Sequence, residues 1–210
     1  MSITSDVRNA LSLLRQGELR EFIFRIRVHL QKIDLKNTYL DELNLSQERC
    51  HYHANSGGVH LAKVLRALQI TPRDSIVDFG SGKGGALITL ARYPFAKIAG
   101  VEISPRLVEI ARENLRKLGL GEVDMTVGDA ADFRDLDDYN YFYFFSPFPS
   151  VVMQAVMKNI ADSLARLPRK AVIIYFNPSF HDDVVAGAIF EKVREFHHHD
   201  LGYFIYSNRP

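Results

Sequence analysis

Apolar residues recur at two different spacings along this chain. Over residues 5–34 they fall at roughly helical spacing, with Gly17 as a break, which predicts two short N-terminal helices. Between residues 37 and 58 the periodicity weakens and polar residues crowd in, which indicates a loop that enters a helix over residues 59–68. Beyond that point, short apolar runs alternate with longer amphipathic segments. This alternation is typical of βαβ units in a parallel sheet.

Five apolar runs predict parallel strands, and two further β-like runs close the pattern. The five strands are Ser75–Phe79, Lys97–Glu102, Asp124–Val127, Tyr141–Phe145 and residues 171–176, with helices that begin near Lys83, Pro105 and Ser150. Ser104 is a favourable helix start, because serine caps free N–H groups and Pro105 suits the first turn. Residues 190–196 and 203–207 predict a terminal antiparallel hairpin, with His197, His198 and His199 in its turn.

Length, charge and cysteine content limit the classes of protein that fit. A chain of 210 residues fits one α/β domain, here 51–210, preceded by a helical N-terminal extension, 1–50. The net charge of +1 gives no overall field for a nucleic acid. Cys50 is the only cysteine, so an internal disulfide is excluded, and no apolar run is long enough to cross a bilayer. We therefore expect a cytoplasmic protein without a membrane span; nothing indicates its oligomeric state.

The most informative stretch runs from the first predicted strand into a glycine-rich turn, Asp78-Phe79-Gly80-Ser81-Gly82-Lys83-Gly84-Gly85. Glycines in such a turn let the backbone approach a nucleotide-type ligand closely. The spacing of Gly80, Gly82 and Gly85 also satisfies a dinucleotide-binding fingerprint, so the turn alone does not separate the cofactors. A Walker loop is excluded, because Lys83 is followed by Gly84 instead of serine or threonine.

Three sites that follow later strands are candidates for the same ligand-binding region as the glycine turn. Glu102 ends the next strand, where a carboxylate can accept hydrogen bonds from both ribose hydroxyls of an adenosine, although it could instead cap the helix after Ser104. Asp129 and Ala130 follow the third strand, in a position to contact an adenine amino group. The Ser146-Pro147-Phe148-Pro149 segment ends the fourth strand at the mouth of the sheet, where reacting groups gather, although it could simply punctuate a loop.

Together these residues resemble the class I S-adenosylmethionine-dependent methyltransferases, over about residues 52–208. The resemblance implies a Rossmann-like α/β fold, a three-layer sandwich around a mostly parallel seven-stranded sheet with an antiparallel C-terminal strand. It implies S-adenosyl-L-methionine as the cofactor. The cofactor-binding residues that it implies are Tyr52, Asp78, Gly80, Ser81, Gly82, Glu102, Ile103, Asp129 and Ala130, with Tyr52 as a lid residue.

Similar amino-methyltransferases hold the amine with an Asn or Asp followed by Pro-Pro-aromatic. Here Ser146, Pro147 and Phe148 stand in that place, so the resemblance implies that they position the acceptor, although serine has a shorter reach than an amide. A nitrogen acceptor, a protein lysine or another amine, is favoured, and its identity is open between a small molecule and a protein side chain.

An oxidoreductase and a non-catalytic binding module are the two alternatives to a methyltransferase. An NAD-dependent oxidoreductase predicts a catalytic Tyr-x-x-x-Lys motif, which the second half of the chain lacks. A non-catalytic S-adenosylmethionine-binding module would need the same glycine turn. We expect no metal site, because consecutive histidines on a strand point to opposite faces and cannot converge on one ion. The N-terminal helices are expected to cover the active site or to set acceptor choice.

Overall fold

The apolar runs form one seven-stranded sheet in a computed structural model, which describes residues 19–37, 55–146, 148–198 and 201–208. The strands are β1 (Ser75–Phe79), β2 (Lys97–Glu102), β3 (Asp124–Val127), β4 (Tyr141–Phe145), β5 (Val172–Phe176), β6 (Glu191–His198) and β7 (Leu201–Ser207). The bounds of the first four are those predicted, and the fifth begins one residue later. Strands β1, β4 and β5 form because their side chains are almost all buried between the two helical layers, whereas β3 is an edge strand whose residues are mostly exposed.

The strand order is β3-β2-β1-β4-β5-β7-β6. The neighbours from β3 to β5 are parallel, and β7 is antiparallel to both β5 and β6. The predicted terminal hairpin and antiparallel strand are therefore confirmed. From β1 the chain continues to β2 and β3 on one side of the sheet, and from β4 it continues to β5 on the other side. Sheets of this type bind ligands in the crevice where the direction reverses, here between the carboxyl ends of β1 and β4.

Helices cover both faces of this sheet. They are α1 (Leu19–Leu30), α2 (Val59–Ala67), α3 (Gly85–Leu90), α4 (Pro105–Leu118), α5 (Ser150–Arg166) and α6 (His181–Val185). Helices α2, α3 and α4 pack on the face that carries Ile76, Tyr143 and Ile174. Helices α5 and α6 pack on the opposite face, which carries Val77, Phe142 and Ile173. The predicted three-layer arrangement is confirmed.

Local capping fixes where two helices begin. The Ser104 hydroxyl accepts a hydrogen bond from the Leu107 N–H at 3.3 Å, and Pro105 occupies the first turn of α4, as predicted. Helix α3 begins at Gly85, because Gly84 before it adopts the left-handed conformation with φ 82°. No helix among the described residues is long and apolar enough to cross a membrane.

The prediction for the terminal histidines was wrong. His197 and His198 belong to β6, in which His197 pairs with Gly202 and His198 with Leu201. The strand continues because Phe196 faces Tyr203 in the sheet, while His197 occupies the exposed alternate position. The short helix α6 was not predicted. His199, the first of the two expected N-terminal helices and the boundary at residue 50 lie outside the described residues; the second expected helix is α1.

Candidate active site

The glycine turn is attached to the end of the neighbouring strand. The backbone N–H groups of Gly80 and Ser81 both donate to the carbonyl of Val101, at 2.8 and 3.1 Å. Gly82 follows with φ 54°, a left-handed conformation that glycine adopts without steric cost. The turn therefore follows β1 directly, as predicted, and its backbone is also bonded to the carboxyl end of β2.

Glu102 holds the turn from the other side. One carboxylate oxygen accepts the Gly82 N–H and the other accepts the Ser104 N–H, each at 2.9 Å. Burial raises the pKa of Glu102, although bonds from the backbone N–H groups of Ser104, Gly82 and Ile103 act in the opposite direction. The carboxylate thus contacts the segment that begins α4, the second of the two predicted roles, and it also reaches the glycine turn; its binding of a ribose stays a prediction.

A second buried carboxylate lies close to the first. Asp78 is 3% exposed, and its pKa is raised well above the usual range by burial and then by the charge of Glu102. Two buried carboxylates are costly when both are ionised. A ligand that offers hydroxyl or ammonium donors at this point would reduce that cost, so the pair favours such a ligand.

The segment after β3 is bonded to the end of β2, at the same carboxyl edge of the sheet. The Gly128 N–H donates to the Glu102 carbonyl at 3.0 Å. Asp129 then caps a single 3₁₀ turn, Ala130–Asp132, by accepting the Ala131 N–H at 2.9 Å, and Ala130 is buried. The structure therefore brings Asp129 and Ala130 beside Glu102 and the glycine turn.

The glycine turn contains one buried hydroxyl that forms no hydrogen bond to the described residues, that of Ser81. It lies over Gly100 of β2, where a β-carbon would approach it to 2.6 Å. A buried hydroxyl normally finds a partner, so this one is available to a ligand in the turn.

Ser146 ends β4 in a left-handed conformation with φ 37°. Its hydroxyl donates to the Asn177 carbonyl and lies 3.2 Å from the Ser179 hydroxyl. Asn177 ends β5 in the same way, with φ 50°. Strained non-glycine residues of this kind gather at functional sites, and here two of them adjoin at the mouth of the sheet.

Phe148 lies on a different side of this segment. Its ring is 3% exposed and meets Phe144 edge to face with centroids 6.2 Å apart, inside the apolar layer under α5. The Phe148 ring is therefore packed in the core and does not present an exposed face next to Ser146. Pro147 and Tyr52 lie outside the described residues.

Sequence reasoning missed a contact between the glycine turn and the N-terminal segment. The Lys83 ammonium, with a side chain 5% exposed, forms an ion pair with Asp34 at 3.0 Å. The Asn114 amide donates to the carbonyls of both Asp34 and Lys83, at 2.9 and 3.0 Å, and its oxygen accepts the Asp34 N–H at 3.0 Å. The only available signal was a lysine inside a glycine turn that fits no Walker loop.

A second segment approaches α3 very closely. A β-carbon on Gly57 would lie 2.0 Å from the Gly85 carbonyl oxygen, so this pair of backbones requires glycine. The Gly58 N–H donates to the Thr89 hydroxyl at 2.8 Å. Between this segment and the N-terminal segment lies a cavity of about 780 Å³, whose lining includes Phe24, Val28, Lys32, Leu35, Gly57 and Ile88.

Known proteins share this fold and part of this sequence. A family described as "Methyltransferase domain" matches residues 70–178. A protein-L-isoaspartate O-methyltransferase from Roseiflexus castenholzii is 33% identical over 95 residues, which are 45% of this chain and 39% of that protein. A release factor glutamine methyltransferase from Moorella thermoacetica is 40% identical over 68 residues, 31% of this chain and 24% of that protein. The chain thus spans well under half of these relatives.

Among solved structures, an RNA methyltransferase from Salinibacter ruber in complex with S-adenosyl-L-homocysteine is similar to this chain. The TM-score is 0.53 at 19% identity, over 70% of this chain and 90% of that one. At this level of identity the similarity concerns the fold.

Proposed function

Because the chain belongs to the methyltransferase-domain family, whose cofactor is S-adenosylmethionine, we propose that it transfers a methyl group from this cofactor to a nitrogen acceptor, a protein lysine or another amine. The observation that carries the proposal is the buried Glu102 carboxylate, which bonds the Gly82 N–H at 2.9 Å and so fixes the glycine turn against β2. This arrangement suits an adenosine ribose at the carboxyl edge of the sheet.

The residues present fit the cofactor. The free Ser81 hydroxyl and the two carboxylates of Asp78 and Glu102 offer the acceptors that its hydroxyl and ammonium groups need. We assign cofactor binding to Asp78, Gly80, Ser81, Gly82, Glu102, Ile103, Asp129, Ala130 and Tyr52. The cofactor supplies an electrophilic methyl group, so the chain has to supply position and exclusion of water more than a nucleophile.

Ser146 is the residue that we assign to the acceptor. Its hydroxyl donates to the Asn177 carbonyl and lies 3.2 Å from the Ser179 hydroxyl, so it stands in a polar group of side chains and carbonyls at the end of β4. Ser146 follows β4 directly, and β4 is the neighbour of β1, after which the glycine turn comes; this shared edge of the sheet supports the assignment. We assign acceptor positioning to Pro147 and Phe148 as well, and Phe148 anchors the segment after Ser146 in the apolar layer.

The proposal defines the acceptor less narrowly than the cofactor. The similar proteins described above are named for isoaspartate, glutamine and RNA as acceptors, so the family alone does not determine the acceptor. The 780 Å³ cavity beside α3 is bounded by the N-terminal segment, which supports a role for that segment in acceptor choice.

Titration calorimetry with S-adenosylmethionine, S-adenosylhomocysteine and NAD on the purified chain tests the cofactor assignment. We expect binding of the first two at about micromolar dissociation constants and none of NAD. Binding of NAD alone would replace the proposal with an oxidoreductase, and an absence of binding to all three would remove it. A screen of amines with labelled S-adenosylmethionine follows, in which Ser146→Ala is expected to lower kcat more than cofactor affinity.

A further inference from the structure

Asn114 of α4 joins the glycine turn to the segment that follows α1, residues 33–36. Its amide nitrogen donates to the carbonyl of Lys83 at 3.0 Å and to the carbonyl of Asp34 at 2.9 Å. Its amide oxygen accepts the Asp34 N–H at 3.0 Å. Asn114 is 1% exposed, so its amide depends on these partners instead of on water. One buried side chain therefore holds two parts of the backbone that are 49 positions apart in the chain.

An ion pair joins the same two segments. The Lys83 ammonium lies 3.0 Å from one carboxylate oxygen of Asp34, and the other oxygen accepts the Lys36 N–H at 3.1 Å. The Lys83 side chain is buried, whereas that of Asp34 is half exposed. Asp34 thus contacts the glycine turn through its side chain and Asn114 through its backbone. Without residues 33–36, Lys83 would lose its anionic partner and keep only the bond from its carbonyl to Asn114.

Lys83 is continuous with the part of the turn that we assign to the cofactor. It follows Gly82 directly, and the next residue, Gly84, donates its N–H to the Ser81 carbonyl at 2.9 Å. This bond closes the turn around Lys83. A shift of Lys83 is therefore transmitted to Ser81 and Gly82, which belong to the proposed cofactor site.

The segment that Lys83 and Asn114 hold has few other anchors. Among the residues from 23 to 37 whose side chains the structure describes, none is fully buried. Four apolar side chains of α1 and of the segment pack against the core while only partly buried, namely Phe24, Val28, Ile33 and Leu35. Local stability is low where little apolar surface is buried. The bonds to Asn114 and Lys83 therefore contribute a large share of the free energy that holds this segment in place.

The same segment forms one wall of the cavity of about 780 Å³. Ile33, Asp34 and Leu35 line this cavity from the side of the segment, and Gly57 and Ile88 line it from the side of α3. The cavity is therefore complete only while residues 33–36 lie against the glycine turn and α4.

We propose that Asn114 and Asp34 are positioning residues that couple residues 33–36 to the cofactor turn, so that a bound cofactor holds this segment in place and the segment raises the affinity for the cofactor. The inference rests on the proposed function and extends it to the order of binding. Coupling between two sites is reciprocal, so the two effects have the same magnitude. The cofactor then binds before the acceptor, because it completes the cavity that we relate to acceptor choice.

Hydrogen–deuterium exchange and calorimetry on the full chain test this coupling. In the parent, we expect S-adenosylhomocysteine to slow exchange at residues 33–36 by at least about fivefold. Asn114→Ala should remove this protection and lower the affinity for S-adenosylhomocysteine by about fivefold or more. Exchange at residues 33–36 that does not respond to the bound ligand in the parent would overturn the proposal. Parental affinity in a folded Asn114→Ala protein would overturn it as well.

Asn208→Ala is a matched control. The Asn208 amide also joins two backbone groups, since it accepts the Ala171 N–H and donates to the Arg169 carbonyl, each at 2.8 Å. These bonds lie before the start of β5, at the end of that strand opposite to the carboxyl edge. We expect Asn208→Ala to lose stability but to keep the parental affinity and the parental exchange response. A loss of affinity equal to that of Asn114→Ala would show that the position of Asn114 has no special role.

Asp34→Asn keeps the test decisive if Asn114→Ala does not fold. This change retains the backbone bonds to Asn114 and weakens only the pair with Lys83. We expect the affinity for S-adenosylhomocysteine to fall by about threefold, and the protection of residues 33–36 to fall with it. Parental values of both in this variant would contradict the proposal.

The parent protein separates this inference from the proposed function. If the parent does not bind S-adenosylhomocysteine, the proposed function has failed. If the parent binds it and exchange at residues 33–36 stays unchanged, only the coupling has failed.

Discussion

The Glu102 carboxylate accepts the backbone N–H of Gly82 at 2.9 Å, although the two residues are separated by 20 positions in the chain. This bond joins the end of one strand to the turn that follows its neighbour. A charge-assisted bond to a buried N–H is among the stronger hydrogen bonds in proteins. The shape of the glycine turn therefore depends on a carboxyl side chain outside it.

Two substitutions of Glu102 are expected to weaken cofactor binding to different extents. Glu102→Gln keeps an oxygen acceptor but loses one of the two carboxylate oxygens, and Glu102→Ala loses both. We expect the affinity for S-adenosylhomocysteine to fall by about tenfold in the first variant and further in the second, since a bond to a charged group contributes about 1.5–3 kcal/mol. Calorimetry gives the values. A folded Glu102→Ala protein with parental affinity would disprove the assignment.

Asp78 predicts an unusual pH dependence of stability. Burial, and then the charge of Glu102, raises the pKa of Asp78 in the folded protein, so the folded state binds this proton more tightly than the unfolded state. Its contribution to stability is therefore present in acid and lost as pH rises through the raised pKa. Asp78→Asn removes that loss.

We expect Asp78→Asn to melt a few degrees higher than the parent at about pH 8, and the difference to shrink toward about pH 5. Thermal unfolding without cofactor measures it. Asp135→Asn, at an exposed position, serves as the control and should follow the parent at both pH values. A difference for Asp78→Asn that is the same at all pH values would show that the carboxylate is not the cause. The variant should also bind S-adenosylhomocysteine less tightly.

The Lys83–Asp34 ion pair predicts an asymmetric response to mutation. Lys83 is buried and Asp34 is half exposed, so Asp34→Asn leaves a buried ammonium without its partner. We expect this change to destabilise the protein by about 1–3 kcal/mol. Lys83→Met in the same background should recover part of the loss, because the unpaired charge is then gone.

Chemical denaturation of the two single variants and the double variant completes the cycle. Asp138→Asn breaks a more exposed pair with Lys97 and should cost much less. Equal losses from Asp34→Asn and Asp138→Asn would mean that burial of Lys83 does not strengthen its pair.

Arg169 predicts a loss of stability that leaves the cofactor site intact. Its guanidinium donates to four acceptors at 2.7–2.9 Å, the carbonyls of Tyr139, Leu136 and Leu167 and the Ser163 hydroxyl. Lysine cannot reproduce this planar set of donors. We expect Arg169→Lys to lower the free energy of unfolding by about 1–3 kcal/mol, with unchanged affinity for S-adenosylhomocysteine. A loss of affinity without a loss of stability would contradict this separation.

The strands were the part of the fold that sequence patterns predicted best. A parallel strand buried on both faces is a short apolar run, and runs such as Tyr141–Phe145 stand out between charged segments. The capping of α4 was equally local, because Ser104 and Pro105 are adjacent. The short helix α6 was missed, since its five residues carry too little periodicity.

The site was less predictable where it depends on long-range geometry. Sequence alternation shows that Phe144 and Phe145 face opposite sides of the sheet, but the left-handed turn at Ser146 decides that Phe148 returns to the core. The pairing of Lys83 with Asp34 spans 49 positions and follows no local rule. Such contacts arise from tertiary packing and not from a motif.

The position of β7 inside the sheet has a consequence for how the protein is made. Leu201–Ser207 lies between β5 and β6, and its Tyr203, Ile205 and Tyr206 are buried. Until β7 is synthesised, β5 keeps an open edge and β6 has no neighbour. The sheet is therefore completed late during translation. A pause before residue 201 would leave the backbone N–H and C=O groups at the edge of β5 unpaired, and chaperones could bind that edge.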